Sequence, residues 1–112
     1  MRKTVSLSAN RDFRRLYARG RNTAGSCLAV YCARNRLGLI RLGLTVSTKL
    51  GGAVQRNRIR RRIKEAYRLQ EGLFVPGYDI VVVARFRAKA APFSALQGEL
   101  LLLSRRLGIA RQ

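Results

Sequence analysis

Positions 56–68 read Arg-Asn-Arg-Ile-Arg-Arg-Arg-Ile-Lys-Glu-Ala-Tyr-Arg, seven cations against one acid. At 100° per residue Ile59, Ile63, Ala66 and Tyr67 gather on one side, a stripe suited to docking on a sheet. The cations sort around it. Arg56, Arg60, Lys64 and Arg68 ascend one flank at i, i+4 spacing, Arg58 and Arg62 lie on the opposite flank, and Arg61 and Arg68 face away from the core. Like charges at i, i+4 each destabilise a helix by a few tenths of a kcal/mol, and Glu65 can relieve only Arg61, Arg62 or Arg68. Such a row opposes folding unless an anion neutralises it. The plain alternative is a solvated helix face with snorkelling side chains. The excess of cations favours the electrostatic footprint of a nucleic-acid binder. Asn57, between two arginines, is either a surface polar residue or an amide for a base edge or ribose hydroxyl.

The whole chain follows the same bias. Its 112 residues carry 24 Lys+Arg against 5 Asp+Glu, a formal charge of +19, with no His. Only Lys3, Lys49, Lys64 and Lys89 are lysines; the other cations are Arg, whose planar fork fits phosphate and stacks on bases. The absence of His removes imidazole catalysis and imidazole metal sites. Two Cys and five carboxylates leave little for a zinc or two-metal centre. No catalytic residue and no metal ligand is therefore assigned, and a polyanion is the expected partner. Cys27 and Cys32, five apart in one apolar run, are too distant on an extended chain to bridge. They read as buried thiols of a reducing compartment. No apolar run reaches the ~20 residues of a membrane span, and the segment after Arg2 and Lys3 has no continuous apolar core of a secretory signal. The expectation is a cytoplasmic protein with no membrane association.

The elements that would position these groups follow from periodicity. A single domain over 1–112 is expected. Residues 1–7 read as loose or extended. Ser8 is placed to cap a first helix that Gly20 ends, with Phe13, Leu16 and Tyr17 as its apolar stripe. Cys27 to Ala33 reads as a strand with Leu28, Val30 and Cys32 on one face and Cys27, Ala29 and Tyr31 on the other. A turn over 34–38 leads to a second strand in which Leu42, Leu44 and Val46 alternate with Gly43, Thr45 and Ser47, suggesting a hairpin. The basic helix spans Ala53 to Gln70. Asp79 to Arg85 is a third strand whose continuous apolar core, Ile80 to Ala84, predicts a central position covered on both faces. Pro92 starts a last helix, with Phe93, Leu96, Leu100, Leu103 and Leu107 as its buried seam, widened by Leu101 and Leu102. The order αββαβα makes a small two-layer α/β (α+β) sandwich.

The run Gly43-Leu-Thr-Val-Ser47, then Lys49, Gly51, Ala53-Val54 and Arg56-Asn57-Arg58-Ile59 followed by Arg60-Arg61, resembles the signature of the bacterial ribonuclease P protein component. The Arg-Asn-Arg triplet opening a basic helix is its most specific part. Asp12-Phe13, Tyr17, Gly20, Tyr31 and Asp79-Ile-Val-Val-Val-Ala-Arg85 flank it in the expected order, so that the resemblance spans residues 8–107. Thr48 and Gly52 stand where the family often carries Lys and Asn.

The resemblance implies a fold like domain 2 of ribosomal protein S5, with the basic helix as the βαβ crossover. That crossover is left-handed in the family, against the general right-handed rule. It implies the small protein subunit of a ribonucleoprotein endoribonuclease that removes the 5′ leader of precursor tRNA. The RNA subunit holds the catalytic magnesium ions and performs the hydrolysis; the protein binds no cofactor of its own. Its partners are the ribonuclease P RNA and precursor tRNA, with no obligate protein partner. Under this reading Arg56, Asn57, Arg58, Arg61 and Arg62 contact the RNA subunit. Phe13, Tyr17 and Tyr31 form a stacking platform for the single-stranded leader, with Lys49, Arg60 and Lys64 on its backbone. Phe13 and Tyr17 could equally pack the first helix on the sheet; Tyr31, among small neighbours, offers an open shelf. Phe74, Tyr78, Phe86 and Phe93 are assigned to core or loop packing. The rival reading is a structural ribosomal RNA-binding protein of similar fold. A DNA-binding helix pair would need a tight interhelical turn, and a cationic membrane peptide would lack the mixed pattern of strands and helices.

Overall fold

The structure is a computed structural model that describes residues 3–112. In chain order the elements are β1 (Thr4–Ser6), α1 (Asn10–Arg19), β2 (Arg21–Ala24), β3 (Leu28–Arg34), β4 (Ile40–Thr45), α2 (Ala53–Arg68), β5 (Tyr78–Ala84) and α3 (Phe93–Arg106). Short 3-10 turns cover Thr48–Leu50, Glu71–Leu73 and Phe86–Lys89. The six elements read from the sequence recur in order, and two short strands join them as the edges of a five-stranded sheet ordered β1-β4-β5-β3-β2.

β5 takes the centre, as its apolar run demands. It pairs antiparallel with β3, Val30 opposite Val82, and parallel with β4, Leu42 opposite Ile80. Its alternate side chains feed two cores. Ile80 and Val82 join Leu28, Val30 and Cys32 beneath α2 and α3, whereas Val81 meets Leu7 and Leu16 beneath α1. A strand apolar on both faces needs cover on both, and it also takes hydrogen-bonding neighbours on both sides. That rules out the hairpin expected between β3 and β4, because β5 lies between them. The hairpin is instead β2–β3, with Asn22 opposite Tyr31. The parallel pair β4 and β5 is joined by α2, the crossover that the sequence placed there.

Local readings differ in smaller ways. Thr4–Ser6 is extended but not loose: it pairs in parallel with Ile40–Leu42. Met1 and Arg2 lie outside the described residues. Ser8 does not cap α1. The cap position is Ala9, whose carbonyl takes the amides of Asp12 and Phe13, which puts the Ser8 hydroxyl one residue too early. Gly20 does end the helix, its amide bonded to the Leu16 carbonyl at 2.8 Å. Cys27 precedes β3 and turns into the same core as Leu28, rather than to the opposite face. Both cysteines are free and buried, and burial raises the Cys32 thiol pKa although Arg21 pulls against it. The seam of α3 is buried at Leu96, Leu100, Leu103 and Leu107, but Leu102 is turned outward at 52% exposure and does not widen it.

Candidate nucleic-acid interface

α2 begins just past a turn that only glycine fits comfortably. Gly51 has φ +136, and a Cβ there would sit 1.8 Å from Oε1 of Gln55. The helix then docks by Ile59, Ile63, Ala66 and Tyr67, all buried, as the periodicity predicts. Burial pushes the Tyr67 hydroxyl pKa up to about 12. That hydroxyl bonds the hydroxyl of Thr4, which donates in turn to Glu71, so the foot of α2 is tied to the edge strand β1.

Docking by one stripe splits the remaining cations between two flanks. On the first, Asn57, Arg60, Arg61 and Lys64 face β1 and β4 across a groove of about 780 Å³ floored by Leu42 and Leu44. On the second, Gln55, Arg58 and Arg62 face Lys89 around a small recess of about 80 Å³. Arg58 and Arg62 are therefore opposite Arg60 and Lys64, as their spacing implies. The set expected to share one RNA surface is divided between the flanks: Asn57 and Arg61 stand with Arg60 and Lys64, away from Arg58 and Arg62. Arg56 is half-buried and turns back, its Nε on the Gly51 carbonyl at 3.2 Å. The guanidinium of Arg62 donates to the carbonyls of Ala88 and Ala91, clamping α2 to the turn before α3. Arg60 donates to Oδ1 of Asn57 at 3.1 Å.

The acids explain why these cations stay unneutralised. All five carboxylates hold donors from within the chain. Asp79, fully buried, accepts from Nε of Arg41 at 2.8 Å, Nη2 of Arg15 at 2.8 Å and the amide of Asn35 at 2.9 Å. Burial pushes its pKa up, but hydrogen bonds from Arg41 and Asn35 outweigh this and hold it below the usual carboxylate value. Asp12 pairs with Arg15 and Arg41. Glu99 accepts the backbone amides of Cys27 at 2.7 Å and Leu28 at 2.6 Å, and Gly25 leaves room for it, since a Cβ there would lie 2.5 Å from its carboxyl carbon. Glu71 accepts from Thr4. Glu65 is held by Arg68, whose hydrogen bonds lower its pKa. Among the described residues Arg68 is thus the one α2 cation that pairs with an acid. Among the described residues no group of three or more potential ligands could hold a metal ion.

The aromatic platform lies on the other face of the sheet. Tyr17 meets Tyr31 edge-on with ring centroids 5.0 Å apart, and Phe13 lies 6.3 Å from Tyr17. The Tyr17 hydroxyl shares a 2.6 Å hydrogen bond with Thr45, and Tyr17 remains 40% exposed. Phe13 covers Gly43, where a Cβ would come within 2.6 Å of its ring. The three aromatics expected to act together are therefore brought together: Phe13 and Tyr17 help to pack α1 on the sheet, and Tyr17 keeps an exposed face. Arg60 and Lys64 are not beside them, because the sheet intervenes. Lys49 lies exposed in the turn that links β4 to α2. Leu7 and Gly43 belong to both sides, lining the α2 groove while touching the α1 layer.

Phe74 is buried and Tyr78 and Phe93 are packed against the core, as assigned. Phe86 is not: it is 69% exposed, on a turn between Arg85 and Arg87. Its signal in the sequence is an aromatic between two cations, Arg85-Phe86-Arg87. The groove wall supplied by β1 had no comparable signal, since three residues carry no period.

A family model described as Ribonuclease P matches residues 1–108. The chain is 40% identical over 109 residues to the ribonuclease P protein component of Clostridioides difficile strain 630, covering 96% of each. It is 39% identical over 107 residues to that of Alkaliphilus metalliredigens, again covering 96% of each. Among solved structures, the Staphylococcus aureus RNase P protein superposes with a TM-score of 0.85 at 33% identity, covering 95% of this chain and 97% of that one. The RNase P protein from Thermotoga maritima gives 0.82 at 30% identity, covering 90% and 96%.

Proposed function

Because the chain belongs to the ribonuclease P protein family, we propose that it works as the protein subunit of a bacterial-type ribonuclease P, binding the RNA subunit and the single-stranded 5′ leader of precursor tRNA during tRNA 5′ processing. The observation that carries this reading is the charge accounting. Among the described residues every acid already holds donors of its own chain, so the cations of α2 other than Arg68 are left for an external polyanion to neutralise. Arg58 and Arg62 on one flank, and Asn57 and Arg61 on the other, are the contacts to the RNA subunit. Arg56 acts chiefly by holding the turn from which the helix starts. Phe13, Tyr17 and Tyr31 stack the leader bases; stacking tolerates any base, which suits a leader of variable sequence. Lys49, Arg60 and Lys64 take phosphates where the leader passes the β1–β4 edge.

Hydrolysis is assigned to the RNA subunit, whose magnesium ions supply the metal-assisted chemistry when bound. Among the described residues each Asp and Glu side chain already accepts donors of its own chain, and none is grouped with others as a metal site. What the protein contributes is positive potential, which lowers repulsion between two RNAs, and a surface that orients the leader. The setting is the cytoplasm; no helix among the described residues is long and apolar enough to cross a membrane. The test is reconstitution with a bacterial ribonuclease P RNA at low magnesium. Cleavage of precursor tRNA at the mature 5′ end should rise on adding the chain. Association with ribosomal subunits and no effect on cleavage would favour the rival reading of a structural ribosomal RNA binder.

A further inference from the structure

We propose that Phe86 is a stacking post for one unpaired base of the RNA subunit, continuing the Arg58–Arg62 flank of α2; this rests on the reading just given. A large exposed apolar side chain is by itself ordinary. Here three further features accompany it. Cations crowd the segment: Arg85 caps the turn, Arg87 and Lys89 lie within it, and the Lys89 ammonium lies 5.2 Å from the ring centroid. Among the described residues none of these three cations pairs with an acid. The turn is also firmly held. Ala88 is fully buried, the Arg85 amide bonds the Cys27 carbonyl at 2.8 Å, and the Arg85 side chain reaches the Gly25 carbonyl at 2.5 Å. The third feature is that Arg62 clamps this turn to α2, so that Lys89 shares one recess with Arg58.

An apolar protein partner would have to bury the ring by desolvating the cations around it, without offering them a counter-charge. A nucleotide meets both needs. Its base stacks on the ring, and its phosphates take Lys89 and Arg58. A rigid ring on a clamped turn also loses little freedom on binding.

The chain contains no Trp, so Phe86→Trp carries a single indole reporter. Titrated with a bacterial ribonuclease P RNA in dilute salt, its fluorescence should be quenched, and its accessibility to acrylamide should fall, with the midpoint that filter retention gives for binding. Phe86→Ala should weaken binding by about 5- to 150-fold, the span of one base–aromatic stack. Phe86→Leu should fare no better than Ala, and Phe86→Tyr should restore affinity. Wild-type affinity for Phe86→Ala, or a complex in which the indole stays open to acrylamide, overturns the proposal. So does shielding that needs only a high concentration of the protein itself, which marks self-association. Shielding that arises only when precursor tRNA joins the assembled holoenzyme overturns it in favour of a substrate base. A chain that binds no RNA at all removes the preceding reading, and this one with it.

Discussion

Arg58 and Arg68 sit on the same helix, and both are exposed, yet they should respond differently to replacement. Of the seven cations on positions 56–68, Arg68 is cancelled by Glu65, which leaves six without an acidic partner among the described residues. Arg60 and Lys64 are assigned to the leader and Arg56 to its own turn. If Arg58, Arg61 and Arg62 each neutralise one phosphate of ribonuclease P RNA, α2 contributes a slope of about −2 to −3 when the logarithm of the affinity is plotted against that of salt concentration. Arg58→Ala removes one such contact and should flatten the slope by about one unit. Taking 1 M salt as the point where the electrostatic contribution vanishes, this is a loss of about eightfold in affinity at 0.1 M. Arg68→Ala removes a charge already taken within the chain, so the slope should move by less than half a unit. Filter binding or fluorescence titration over a range of salt concentrations measures both. Equal slopes for Arg58→Ala and wild type would remove Arg58 from the interface. A full-unit change for Arg68→Ala would show that the Glu65 pair opens on binding, and that charge accounting within the free protein does not identify the contacts.

Three further outcomes follow from named contacts. Tyr31→Ala should weaken precursor tRNA binding to the holoenzyme by about tenfold, within the range of one stacking contact, while sparing mature tRNA; equal losses for both would make Tyr31 structural. Glu99→Ala leaves the amides of Cys27 and Leu28 without their carboxylate acceptor, and urea unfolding should show a loss of about 1–3 kcal/mol; an unchanged midpoint would mean that water replaces the carboxylate. Asp79 has a folded pKa below its ordinary value of 3.8, so its stabilising share is whole above that value and is lost as pH falls through the lower folded one. Acid unfolding followed by circular dichroism should therefore be steeper for wild type than for Asp79→Asn in that window; superimposable acid limbs would refute the assignment.

What the sequence made legible was decided locally. The stripe Ile59, Ile63, Ala66 and Tyr67 and the continuous run Ile80 to Ala84 are patterns within one element, and each side chain lies where its period puts it. Strand neighbours are not local. Nothing in the turn over 34–38 distinguishes a hairpin from a connection that steps across a strand not yet synthesised. β1 and β2 are short and mostly exposed, so no apolar alternation announces them. The candidate site followed the same division. The cations of α2 and the three aromatics were visible as residue types, but their grouping depends on which face of the sheet each helix covers.

That grouping follows from a single constraint. A helix that buries one stripe on a sheet leaves two flanks that cannot touch the same object unless it wraps over the outer face. Here one flank opens on a groove beside β1, and the other on a turn clamped by Arg62. The aromatic platform occupies the opposite side of the sheet, reached past Leu7 and Gly43 at the β1–β4 edge. One RNA surface seated on α2 and a separate single strand on the platform would therefore be held at a fixed separation set by the thickness of the sheet. Charge alone would let either RNA slide, since phosphates are interchangeable to a guanidinium. A rigid sheet between two unlike surfaces, one cationic and one aromatic, gives the assembly a register that neither surface supplies by itself.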